Sequence, residues 1–212
     1  MSEQFTVVNS DPARVEELEQ VQRRCFPSLA EDEIITARHY AAHIERFAEG
    51  QFMVLNEASE IVACSTDFMV NVDFDHIEHR FVEIMDNMWL GNHNPNGEWL
   101  YGADIGVVPE YRRRGIATLL YNARRDLIRR LNLRGHVAGG MLSGYGLLKD
   151  KMLVEEYVAK VVAGELFDPT VSVQLRRGFH VDGIIQNYVD DPLCDNKAAF
   201  IVWHNPDYRA AE

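Results

Sequence analysis

Apolar residues recur along this chain with two periods, one near three to four residues and one of two, and their order predicts the elements. Phe5 to Val8 is a short β-rich run. Asp11-Pro12 supplies a helix cap with proline at the first helical position, and Val15, Leu18, Val21 and Cys25 recur at helical spacing until Pro27 stops the helix. A second helix is predicted from about Ser28 to Phe47, carrying Ile34, Ile35, Ala41, Ile44 and Phe47, with Gly50 as its terminator. Phe52 to Leu55 and Ile61 to Val72 read as a hairpin across the polar turn Asn56 to Glu60. From Asp73 to Glu98 the pattern weakens to a short helix, Phe81 to Met85, and the turn-forming stretch Gly91 to Gly97. Long excursions of this kind tend to carry recognition.

Trp99 to Val108 returns to strand character, interrupted by Gly102 and Gly106, which in a strand point to a bulge or a close approach by another backbone. A helix from Gly115 to Leu133 follows, with Ile116, Leu119, Leu120, Ala123, Leu127 and Leu131 as its apolar stripe. His136 to Leu142 reads as a strand and Asp150 to Ala163 as an amphipathic helix stopped by Gly164. Asp168-Pro169 opens a short helix ending at Gly178, and the strands Val181 to Val189 and Ala198 to Trp203 flank the turn Asp190-Asp191-Pro192. No repeat, linker or low-complexity stretch divides the 212 residues, so one domain over 1–212 is expected. The class is α/β or α+β, with one mixed sheet and helices on both faces.

Composition narrows the function. With 47% apolar and 10% aromatic residues the chain can bury a core without a staple, and Cys25, Cys64 and Cys194 form no CxxC pair, which excludes a zinc ribbon and a disulfide framework. The formal charge of −12 repels nucleic acid and anionic membranes and favours a cationic or neutral small partner. Met1-Ser2-Glu3-Gln4 lacks the basic start of a signal peptide, and no apolar run approaches a membrane span, so a soluble cytoplasmic protein is expected. Spacing alone leaves a homodimer open.

Against that acidic average, eight of the seventeen arginines fall between Arg112 and Arg134, where a single acid, Asp126, leaves the segment at +7. For Arg124, Arg125, Arg129 and Arg130 a solvated helix face is the plain reading. Arg112, Arg113 and Arg114 differ, because they sit between a strand and Gly115 at the mouth of a helix whose first amides lack intrahelical partners. Those amides, the helix dipole and a glycine that admits close approach make a pyrophosphate cradle. Neither GxxxxGK[ST] nor GxGxxG is present, so the phosphate carrier is neither a P-loop nucleotide nor a Rossmann dinucleotide.

Val107-Val108-Pro109-Glu110-Tyr111-Arg112-Arg113-Arg114-Gly115-Ile116-Ala117 resembles the acyl-CoA motif of the GCN5-related N-acetyltransferases (GNAT), Gln/Arg-x-x-Gly-x-Gly/Ala between a strand and a helix. Leu175-Arg176-Arg177-Gly178-Phe179 resembles that family's last helix-to-strand junction, and the element order fits nearly the whole chain. Asp150 to Leu175 is similar to a subgroup found alone or fused to nitrilase-like carbon-nitrogen hydrolases.

The resemblance implies a sheet splayed between its fourth and fifth strands, acetyl-CoA as acyl donor, no metal, and transfer to the amine of a small acceptor by direct attack in a ternary complex. Ile105 and Val107 would offer main-chain groups to pantetheine, and the amides of Arg112, Arg113, Arg114, Gly115, Ile116 and Ala117 would hold the pyrophosphate. Plain core packing of Ile105, Val107, Ile116 and Ala117 is compatible with this, since the contact is through backbone. Arg124 or Arg129 would reach a 3′-phosphate. Asp104 on the fourth strand is the first choice for base or amine anchor, with Tyr101 the alternative if a bulge reverses the alternation of side chains. Many family members carry a tyrosine four residues before the Gly-Phe pair as acid to the leaving thiolate; this chain has Gln174 there, which cannot act as one. Tyr145, another group or solvent must then supply that proton, Tyr145 being a candidate by position alone with packing in a loop as its plainer reading, and a non-catalytic acyl-CoA-binding or sensing module is the alternative function. His39 and His43, one turn apart, are weighed as metal ligands against a half-exposed helix face, and the cluster Asp73, Asp75, His76, Glu78 and His79 against a solvated or substrate-facing segment, the plainer reading in each case. Cys64 reads as inert core rather than an acylated nucleophile.

Overall fold

The computed structural model describes residues 3–210, which leaves Met1 and Ser2 of the predicted non-secretory start, and the last two residues of the predicted domain, outside the described residues. Seven strands form one sheet: β1 Thr6–Asn9, β2 Gln51–Leu55, β3 Ile61–Val70, β4 Trp99–Val107, β5 Gly135–Met141, β6 His180–Ile185 and β7 Ala198–His204. Their order is β1-β2-β3-β4-β5-β7-β6, antiparallel throughout except for the β4/β5 pair. The helices are α1 Val15–Cys25, α2 Ala37–Phe47, α3 Phe81–Ile84, α4 Ile116–Arg130, α5 Val154–Val162 and α6 Val171–Leu175.

One face of the sheet is covered by α1 and α2, which pack on each other and on β2, β3 and β4; α4 crosses the other face from β1 to β5. All ten residues of β3 are buried, because both faces above it are occupied. No helix among the described residues is long and apolar enough to cross a membrane.

Two predicted elements shift for identifiable reasons. The helix expected from Ser28 begins only at Ala37: Ile34 is extended, and Thr36 is held at the helix mouth by a bond from its amide to His39 Nδ1 at 3.2 Å. The strand expected to run to Val189 ends at Ile185, since Asn187 lies at φ +52° and turns the chain out of the sheet. Tyr188 and Val189 are nonetheless buried, as loop residues rather than strand residues.

Candidate active site

The fork in the sheet follows from the β4/β5 register. The two strands pair only from Trp99 to Tyr101 with Gly135 to Val137, although β4 continues to Val107 and β5 to Met141. Past Tyr101 the strands part. The Val108 amide bonds the Val62 carbonyl of β3 at 3.0 Å, and backbone groups alternate sides along a strand, so those of Ile105 and Val107 face the fork. The Val107 carbonyl accepts there from Arg112 Nε at 3.0 Å.

The head of α4 lies at the mouth of this fork. Arg113 and Gly115 both take left-handed backbone, at φ +65° and +84°, so that successive amides turn to a common side. Among the described residues, no hydrogen-bond acceptor engages the amides of Arg113, Arg114, Gly115, Ile116 or Ala117. A Cβ placed on Gly115 meets nothing within 4 Å, so space lies outside the cradle. Donors without partners, a helix N-terminus and open space fit a phosphate-bearing ligand with its arm along β4.

The arginines are distributed differently from their spacing in the sequence. Arg112 is turned to the Val107 and Cys25 carbonyls, and Arg114 pairs with Glu3 at 2.6 Å while its guanidinium lies over Tyr111. Among the described residues, Arg113 makes no ion pair. Arg124, expected on a solvated face or at a 3′-phosphate, is instead only 2% exposed. Its Nε lies 2.8 Å from Asp67, and Nη2 reaches the carbonyls of Thr66 and Asp104. Arg129 pairs with Asp126 and Asp207.

That buried guanidinium sits at the irregularity which decides the parity of β4. The register shifts between Thr66 and Asp67, so that Thr66 faces Asp104 and Asp67 faces Gly102, leaving Ala103 as the extra residue. A Cβ on Gly102 would meet Arg124 and His136, whereas one on Gly106 would meet Cys25 of α1. Asp104 and Tyr101, which strict alternation would put on opposite faces, are therefore both on the α1 and α2 face. Oδ1 of Asp104 accepts the Thr66 amide at 2.7 Å, and Oδ2 is buried with no partner. Burial pushes its carboxyl up to about 6, against the pull of Arg124. Asp67 is likewise raised by burial, with Arg124 opposing; neighbouring His136 is kept neutral by desolvation.

Tyr101 is fully buried, its hydroxyl 2.7 Å from His79 Nε2 and 3.0 Å from the Tyr188 hydroxyl. Tyr145 is also buried, in the turn after β5, and donates to the Met152 carbonyl at 3.3 Å. Gln174 lies against Gly140 on β5 with Oε1 unpartnered. His43 is buried against the Met88 carbonyl at 2.7 Å and pushed down to about 4. Among the described residues no group of three or more His, Cys, Asp or Glu side chains is placed to hold a metal ion. Cys64 is sealed in β3, and burial drives its thiol well above the ordinary range.

Sequence reasoning missed the structural role of Arg124, and it missed Tyr188 and Glu33. Glu33 is buried with Oε2 accepting the Asp190 amide at 2.8 Å and Oε1 unpartnered. Nothing in the local pattern marks either residue, since both are brought in by loops.

The family model described as the Acetyltransferase (GNAT) family matches residues 15–138. Two proteins of Bacillus subtilis (strain 168) are similar in sequence. The Probable hydrolase YhcX is 35% identical over 205 residues, which take in 96% of this chain and 39% of that protein, so the chain spans well under half of its length. The Uncharacterized N-acetyltransferase YkwB is 30% identical over 210 residues, 99% of this chain and 92% of that one. Among solved structures, the GphF GNAT-like decarboxylase in complex with isobutyryl-CoA has a TM-score of 0.80 at 20% identity, covering 94% of this chain and 99% of its own. The ribosomal-protein-S18-alanine N-acetyltransferase from Escherichia coli has a TM-score of 0.60 at 11% identity, with coverage of 99% and 97%. At these identities the structural likeness shows the fold alone.

Arg124→Met strands Asp67 in the core and is expected to cost about 3–5 kcal/mol. The double variant Asp67→Leu/Arg124→Met should recover much of that loss, because Asp67 is then no longer a buried carboxylate stripped of its partner. Urea unfolding midpoints check this; equal loss in both variants would place the stabilisation in the carbonyl contacts instead.

Proposed function

Because the chain belongs to the acetyltransferase (GNAT) family, we propose that it transfers an acetyl group from acetyl-CoA to the amine of a small acceptor, by direct attack with both substrates bound. The observation that carries the reading is the joining of an open β4 edge to a set of unengaged amides at the head of α4. In this reading Ile105 and the amide of Val107, whose carbonyl is taken by Arg112, offer backbone groups to the pantetheine arm, and the amides from Arg113 to Ala117 hold the pyrophosphate, with the Arg113 side chain adding charge; the Arg112 amide, expected in the same set, is instead bonded to the Pro109 carbonyl at 3.3 Å. The thioester supplies an activated acyl carbon. Asp104 and Tyr101 face the acceptor side together, and Asp104 serves as base or amine anchor, its raised carboxyl suited to exchanging a proton near neutral pH. The charge of −12 favours a cationic acceptor.

A second reading, a non-catalytic acyl-CoA-binding or sensing module, is favoured by Gln174, which cannot donate a proton as an acid to the leaving thiolate. Tyr145 would supply that acid only by giving up its bond to Met152. A coenzyme A thiolate leaves tolerably without help, so the transferase reading does not depend on it.

Calorimetric titration of acetyl-CoA is expected to show binding by wild type and a loss of roughly 100-fold, about 2.7 kcal/mol, in Gly115→Glu, which sets a carboxylate in the cradle. Equal affinity in both proteins would remove the cradle from the proposal. Asp104→Asn should keep acetyl-CoA affinity within about twofold and lower free-thiol release with a panel of small amines by roughly 100-fold or more. Thioester binding without turnover by wild type over the whole panel would favour the sensing module.

A further inference from the structure

Three side chains from separate segments meet at the apex of the fork: Tyr101 from β4, Tyr188 from the loop between β6 and β7, and His79 from the segment before α3. Their hydrogen bonds have a definite direction. His79 Nδ1 is 2.7 Å from the Ile77 carbonyl, and a carbonyl only accepts, so Nδ1 carries the ring proton and Nε2 presents a lone pair. Tyr101 therefore donates to His79 across 2.7 Å, and with its one proton spent it accepts from Tyr188 across 3.0 Å. The order of donation runs from Tyr188 through Tyr101 to His79, which leaves a lone pair on the Tyr188 oxygen as the intake. A chain of this polarity takes up a proton at Tyr188 and delivers it at His79.

We propose that Tyr188, Tyr101 and His79 are the proton exit of the transfer reaction, with Tyr188 receiving the proton that the attacking amine loses. The proposal rests on the transferase reading. Its support is the placement of the intake: a Cβ on Gly139 would lie 2.3 Å from Tyr188 Cζ, and Gly139 is in the part of β5 that has already parted from β4. Both tyrosines are buried, whereas His79 is partly exposed and can pass a proton to water. Asp104 has no such outlet, being buried with one oxygen committed to Thr66, so of its two proposed roles the relay leaves it that of amine anchor. Aromatic rings face His79 from β4 (Tyr101), from the β6–β7 loop (Tyr188) and from β7 (Phe200). Burial lowers its pKa while Glu78 and Glu83 raise it, and the net lowering keeps the ring neutral and ready to accept.

The step balances. As the C–N bond forms and the C–S bond breaks, the C–S electron pair leaves on sulfur. The amine proton passes to Tyr188, the Tyr188 proton to Tyr101, and the Tyr101 proton to His79 Nε2; the imidazolium then gives up its Nδ1 proton to water, breaking its bond to Ile77, and proton exchange with water restores the starting tautomer.

The test follows free-thiol release from acetyl-CoA with the amine panel over roughly pH 5 to 9 for wild type, Tyr188→Phe, Tyr101→Phe, His79→Gln and Asp104→Asn, beside acetyl-CoA calorimetry. Each relay variant should lower kcat by roughly 100-fold with acetyl-CoA affinity within about twofold. The fall of rate on the acid side should vanish in His79→Gln and persist in Asp104→Asn. Wild-type kcat and an unchanged acid limb in His79→Gln overturn the relay and leave the transferase reading standing. A flat acetyl-CoA titration with wild type overturns that reading, and the relay's task with it. Where a variant does not fold, nitrogen NMR of the wild-type histidines decides: protonation of His79 at Nδ1 supports the relay, and at Nε2 overturns it.

Discussion

The buried pair of Arg124 and Asp67 is the constraint on which the site depends. An extra residue in β4 leaves backbone carbonyls without ladder partners inside a covered sheet, where an unpaired polar group is costly. Arg124, reaching down from α4, supplies the missing donors to Thr66 and Asp104, and Asp67 supplies the counter-charge that lets a guanidinium be buried there. The bulge held in this way turns Asp104 to the same face as Tyr101. It also marks where β4 stops following β5, so one buried charge pair ties the helix that carries the cradle to the strand that lines the fork.

The arginine-rich segment is consequently less of an anion magnet than its composition implies. Arg125 bonds the Arg177 carbonyl and lies over Trp203, Arg129 pairs with Asp207, Arg130 with Glu49 and Arg134 with Glu98. Each contact fastens α4, or the turn after it, to another element. What distinguishes the head of α4 is backbone geometry: two left-handed residues and a helix start whose amides meet no acceptor among the described residues.

The end of the molecule beside the fork is assembled by loops that hold one another. The segment between α1 and α2 meets the β6–β7 loop through Ala30 with Asp190, Glu33 with Asp190 and Ser28 with Asp191. The excursion between β3 and β4 joins through the Phe81 amide to the Tyr188 carbonyl and through Glu78 to the Gln186 amide. Three irregular segments can vary in side chains without disturbing the sheet below them.

The sequence by itself determined the order of the elements and the family, because both are written locally. Period-two and period-3.6 patterning is a neighbour-to-neighbour signal, and Arg-x-x-Gly-x-Ala at a strand-to-helix junction states a backbone geometry in a few residues. The late start of α2 and the early end of β6 were not legible, since a cap at Thr36 and a turn at Asn187 compete with apolar runs that read equally well as regular structure. Only the tertiary structure decided the face of Asp104, which hangs on one residue of register against β3. It alone buried Arg124, whose position on a helix face said nothing about a carboxylate 57 residues away. It alone brought His79, Tyr101 and Tyr188 together, because a hydrogen-bond chain spanning 109 positions of sequence has no period to read; its existence follows from how three segments close over one strand.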